Sequence, residues 1–151
     1  MTREIAASIG GIAATLPMTA VVAGLHGLLP ASQQEPLPPQ QIGERVAEAS
    51  GLAETHEEKE GVALAGHFGY GATAGAAYVA VAGKSGLHPA AEGALYGLAV
   101  WGGSYLGLMP ATGLYRSATE EPAARNALMI ASHLVWGAAL GLIFSKLADA
   151  E

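Results

Sequence analysis

Charged residues are absent from four long stretches of the chain, residues 5–34, 61–83, 93–115 and 126–145. Each reaches the ~20 apolar residues that a helix needs to cross a ~30 Å hydrocarbon core. Ala, Gly, Leu and Val fill them without period-2 alternation, so helices are predicted, and helices satisfy their own backbone groups in lipid. The predicted spans are 5–29, 62–83, 93–114 and 126–147. The fold class is therefore all-α, a four-span transmembrane helical bundle forming one domain over residues 1–151.

Between the first two spans lies an extramembrane loop, 30–61. Its first part carries Pro30, Pro36, Pro38 and Pro39 and should be extended. A short amphipathic helix follows from Gln40, with Ile42, Val46 and Ala49 on one stripe. His56 to Glu60 (HEEKE) reads as a solvated charge run. Pro17 is expected to kink the first span, and Pro110 to loosen the end of the third. Glu92 opens the third span, where a carboxylate complements the helix dipole.

Composition sharpens this picture. Of 151 residues, 21 are glycine and only 6% are aromatic, a profile of thin helices that pack closely. The mean hydropathy of +0.33 is modest because a polar loop is averaged in. Net charge is −6 with no basic cluster, so nucleic acid is not a partner. No cysteine is present, which removes disulfides and thiolate metal sites. Both termini fall on one side of the membrane. Arg3, Lys84 and Lys146 lie there, against Arg45, Lys59, Arg116 and Arg125 on the other. The termini are assigned to the cytoplasm.

The second and fourth spans share a pattern. His67-Phe68-Gly69-Tyr70-Gly71-Ala72-Thr73-Ala74-Gly75 matches His133-Leu134-Val135-Trp136-Gly137-Ala138-Ala139-Leu140-Gly141 as H-x-x-(aromatic)-G-A-x-x-G. The first and third spans match more weakly, through Leu16-Pro17-Met18 and Leu108-Met109-Pro110. Two parallel two-helix repeats would give this arrangement; convergence of two glycine-rich helices is the alternative. Four GxxxG pairs, Gly71/Gly75, Gly93/Gly97, Gly103/Gly107 and Gly137/Gly141, are predicted to pack helices within the bundle or between protomers.

His67 and His133 share the faces of these glycines and should point into helix interfaces. His26 is expected near the same membrane face, with Tyr105 and Met109 approaching it from the third span. Ionisable residues at such depth are functional candidates. Three readings stay open: neutral imidazoles bonded across helices, ligands to a cofactor, or a protonation relay. As ligands, His67 and His133 would hold haem, and His26, His67 and His133 a transition metal. No nucleophile–base pair, carboxylate dyad or phosphate loop is present, so no catalytic residue is assigned. The partners expected are the lipid bilayer and a second copy of the chain or a larger membrane complex. An oligomeric transporter or proton pathway is the further alternative.

Several strings together resemble a known family. Leu37-Pro38-Pro39 follows the first span and Gly66-His67-Phe68 lies in the second. Leu108-Met109-Pro110-Ala111-Thr112-Gly113-Leu114 ends the third, and Ser132-His133-Leu134-Val135-Trp136-Gly137 lies in the fourth. In that order they resemble the YagU-like family of small bacterial inner-membrane proteins, whose biochemical role is not established. The resemblance implies a bacterial plasma-membrane location and a four-span architecture, and no activity.

Overall fold

The computed structural model describes residues 1–51, 53 and 55–148. Positions 52 and 54 of the predicted loop, and 149–151 of the predicted domain, lie outside the described residues. Those described are all-helical, with no strand among them. Helix α1 covers Arg3–His26, α2 Pro38–Ser50, α3 His56–Tyr78, α4 Pro89–Gly102, α5 Met109–Thr112 and α6 Ala123–Ala148. A π-helical segment, Gly103–Leu108, joins α4 to α5 without a break. Among the described helices, α1 and α6 are long and apolar enough to cross a membrane.

Local chemistry sets the helix ends. Thr55 and Glu58 form a capping box at the start of α3. The HEEKE run is therefore the first turn of α3, not a loop, because its acids suit a helix N-terminus. Pro38 occupies the first turn of α2, so that helix starts before Gln40. Its buried residues are Pro38, Gly43 and Ala47; Ile42 and Val46 flank this face, and Ala49 is exposed. Gly51 at φ 66° ends α2, and Gly113 at φ 72° ends α5, a left-handed conformation that glycine adopts freely.

Helix α1 packs on both α3 and α6, α4 packs on α6, and α2 covers α3, whereas α3 and α4 scarcely touch. Two helix pairs meet at glycines in one repeated register. A Cβ added to Gly11 would lie 2.1 Å from the Gly71 carbonyl oxygen, and one on Gly75 2.4 Å from that of Ala7. In the second pair, a Cβ on Gly93 would lie 2.0 Å from the Gly137 oxygen, and one on Gly141 2.1 Å from that of Pro89. Ala7 and Gly11 thus correspond to Pro89 and Gly93, rather than Leu16-Pro17-Met18 to Leu108-Met109-Pro110. Gly103 and Gly107 differ, with no atom within 4 Å of an added Cβ. They face open space because the π segment turns its own large residues, Ser104 and Tyr105, inward.

Side-chain size is distributed inside out. The buried residues of α1 are mostly small: Ala6, Ala7, Gly10, Gly11, Ala14 and Thr15, with Met18 and Val22. Its exposed ones are Ile5, Ile9, Ile12, Leu16 and Leu25. Bulk enters the core mainly as aromatics. Tyr78 packs 5.6 Å from Phe144 and 5.2 Å from Tyr96, and Tyr96 lies 6.2 Å from Trp136. Tyr78, Trp136 and Tyr115 are packing residues, buried rather than at a rim.

Glu92 organises the connection between the two helix pairs. Its carboxylate accepts from the backbone of Gly83 (2.7 Å) and Ser85 (3.0 Å), from the Ser85 hydroxyl (2.6 Å) and from Tyr78 (3.1 Å). Glu92→Ala should cost about 1–3 kcal/mol by leaving buried donors unpaired. Unfolding midpoints measured in detergent would show the loss.

Candidate functional site

Because α3 and α4 stand apart, a cavity of about 290 Å³ opens between them, walled by α1 and α6 and covered by α2. Two tyrosines span the gap. Tyr70 donates to Ser104 at 2.7 Å, since the Ser104 hydroxyl is already committed to the Val100 carbonyl. Tyr96 donates to the Ala74 carbonyl at 2.6 Å. The far wall is tied by Trp136, whose indole N–H donates to the Gly11 carbonyl at 3.1 Å.

The π segment shapes the α4 side. Pro110 has no N–H for the carbonyl one turn back and its ring crowds that carbonyl. The helix absorbs this by widening, and the Met109 amide bonds Ser104, five residues earlier. The wider turn brings Ser104, Tyr105, Leu108 and Met109 to the cavity together. Pro110 acts near the end of the continuous helix that runs from α4 into α5, as its position implied.

His67 and His133 both line this cavity. His133 is only 6% exposed, and its Nδ1 lies 2.8 Å from the Met129 carbonyl, which demands a hydrogen on Nδ1. In the neutral ring Nε2 is then a bare acceptor, and it has no partner among the described residues. The ring of Tyr105 packs edge-on at 5.8 Å, and the Tyr105 hydroxyl also lacks a partner among the described residues, although the residue is 7% exposed. His67 is half-buried, with Nε2 3.5 Å from the Thr19 hydroxyl. That hydroxyl donates to the Thr15 carbonyl at 2.8 Å, so His67 is the donor.

His26 does not join them. It is the last residue of α1, beyond the cavity, and its Nε2 lies 3.1 Å from the Glu35 carbonyl. Among the described residues no three His, Asp or Glu side chains converge as a metal-binding group. The expected trio of His26, His67 and His133 is thus not assembled, because α1 carries its histidine past the level of the other two. His67 and His133 remain paired, in a space near the small end of ligand pockets (~300–1,000 Å³), which suits a small ligand better than a porphyrin.

One polar cluster escaped the sequence reading. Arg125 is 4% exposed and donates to Glu121 (2.9 Å) and to the carbonyls of Gln33 (2.8 Å), Glu35 (3.2 Å) and Pro36 (3.3 Å). Glu121 also accepts from Tyr115 at 2.7 Å and from Arg116, and Arg116 reaches Glu35 at 2.7 Å. Burial would raise the Glu121 pKa, but Arg116, Tyr115 and Arg125 bring it below the usual carboxylate value. This knot locks residues 33–36 to residues 115–125. Its sequence signal was the Glu121/Arg125 spacing of four around Pro122.

Comparison with curated proteins and with solved structures gives no match. A family model does match, over residues 18–142, a span that holds all three histidines, the π segment and the α4–α6 glycines. Its description is a protein of unknown function, and with most of its length matched the chain belongs to that family, DUF1440.

Proposed function

We propose that this protein is a four-span integral membrane protein, built from two parallel two-helix repeats, that holds a small uncharged lipophilic ligand between α3 and α4. The observation that carries the reading is the cavity itself, apolar in most of its lining and supplied with histidines from corresponding positions of the two repeats. Small residues inside and Ile or Leu outside is the pattern that lipid favours, since lipid removes the drive to bury aliphatic bulk. Exposed Leu64, Leu95, Leu98, Leu106 and Leu142 extend that outer surface beyond α1. The continuous helix from Pro89 to Thr112 supplies a third long span, and α3 a fourth.

The protein acts by binding, not catalysis, in the bacterial plasma membrane, with its termini in the cytoplasm. It serves as an accessory component or self-associating bundle there. Among the described residues no carboxylate lines the cavity, so an uncharged ligand matches it better than a cation.

The test uses the placement of tryptophan. The chain has two, and Trp136 lines the cavity whereas Trp101 does not. In a Trp101→Phe background, bromonaphthalene should quench Trp136 fluorescence saturably. Gly66 lines the cavity and has open space at its Cβ, so Gly66→Phe should remove the saturable part. Equal, unsaturable quenching in both proteins would reject the ligand site.

A further inference from the structure

We infer that the cavity selects a ligand bearing a hydroxyl group, of the phenol or quinol class, through His133 and Tyr105. This builds on the cavity being a ligand site, and adds what the ligand must carry. Nε2 of His133 and the hydroxyl of Tyr105 have no hydrogen-bond partner among the described residues, and both residues line the cavity and are more than nine-tenths buried. A ligand that fills the cavity displaces water from such groups, so it must answer them or forfeit their bonds. The first is an acceptor, since Nδ1 holds the ring hydrogen against Met129. The second is free to donate. A hydroxyl both donates and accepts, so one group can answer both. Their rings pack edge to face at 5.8 Å, so the two residues are neighbours on the cavity wall.

The other lining polar groups are engaged, save the Nδ1 acceptor that stays on His67 once its Nε2 donates. Tyr70 and Ser104 bond each other, the Thr15 hydroxyl donates to Gly11 at 2.9 Å, and His67 donates to Thr19. Size sets the rest of the ligand. A ~150 Å³ apolar cavity accepts benzene, so 290 Å³ admits a two-ring body. Among the described residues no charged side chain lines the space, which disfavours a carboxylate or ammonium head group.

Bromonaphthol and bromonaphthalene differ only in the hydroxyl, and both quench tryptophan. Titrated into the Trp101→Phe protein in mild detergent, bromonaphthol should bind about fivefold more tightly, the worth of one net hydrogen bond. His133→Leu should erase that advantage while bromonaphthalene still binds. Should His133→Leu bind neither compound, Tyr105→Phe gives the same comparison, with the advantage reduced. Equal affinities in the native protein would overturn the hydroxyl selection and leave the cavity a plain lipophile site. An advantage that survives both substitutions would overturn it too. Failure of both compounds to bind would reject the cavity as a ligand site, and the selection with it.

Discussion

Gly137→Ala should destabilise the protein by about 1–3 kcal/mol or more, and Gly137→Leu should prevent assembly of the α4–α6 pair. The new Cβ would sit 2.0 Å from the Gly93 carbonyl oxygen, a backbone atom that cannot swing aside as a side chain can. Relief requires the helices to part, and parting forfeits the neighbouring contacts at Gly97 and Gly141 as well. Gly103→Ala and Gly107→Ala make the control. Both meet open space, and alanine is favoured over glycine inside a helix by ~0.5–1 kcal/mol, so each should be neutral or slightly stabilising. Unfolding by SDS titration from mild detergent would rank the four. A larger loss at Gly103 or Gly107 than at Gly137→Ala would mean that their outward face packs against a second copy.

Arg125→Met should cost about 3–5 kcal/mol, the penalty for breaking a buried ion pair from one side. Glu121 would keep Arg116 and Tyr115, but three carbonyls of residues 33–36 would lose their donor. The connection after α1 would then come away from the start of α6. The double variant Arg125→Met/Glu121→Gln should lose less than the sum of the two single changes, because the two side chains share one interaction. The sign of the pH effect is fixed by Glu121, whose folded carboxyl lies below the unfolded one. Its contribution is intact above the unfolded carboxylate range and disappears as pH falls through the folded value. Arg125→Met should therefore be less acid-sensitive than the native chain, as measured by unfolding midpoints across the acid range.

Much of this was legible in the sequence because it depends on spacing within one helix. The i, i+4, i+8 runs His67/Gly71/Gly75 and His133/Gly137/Gly141 put each histidine on a close-packing face, and both histidines line the cavity. What one helix cannot encode is which neighbour it meets. Gly103 and Gly107 have the same spacing as Gly93 and Gly97 but belong to the segment that Pro110 widens, and they turn outward. His26, the last residue of α1, lies past the level of the other two, which the spacing within one helix could not show. Nothing local announces that residues 33–36 fold over Arg125 to receive its hydrogens. HEEKE misled in the opposite way, because charge density hid a capping box that Thr55 and Glu58 already contained.

The proposed ligand site requires four membrane crossings that enclose the cavity, and a chain without cysteine allows that to be tested cleanly. Single cysteines at the exposed positions Ser32, Lys84 and Thr119 would be labelled with a membrane-impermeant maleimide in spheroplasts and in inverted vesicles. Ser32→Cys and Thr119→Cys should react in spheroplasts, and Lys84→Cys only in inverted vesicles. Labelling of all three from one side would contradict four crossings, leaving α3 and α4 outside the bilayer and their cavity open to water.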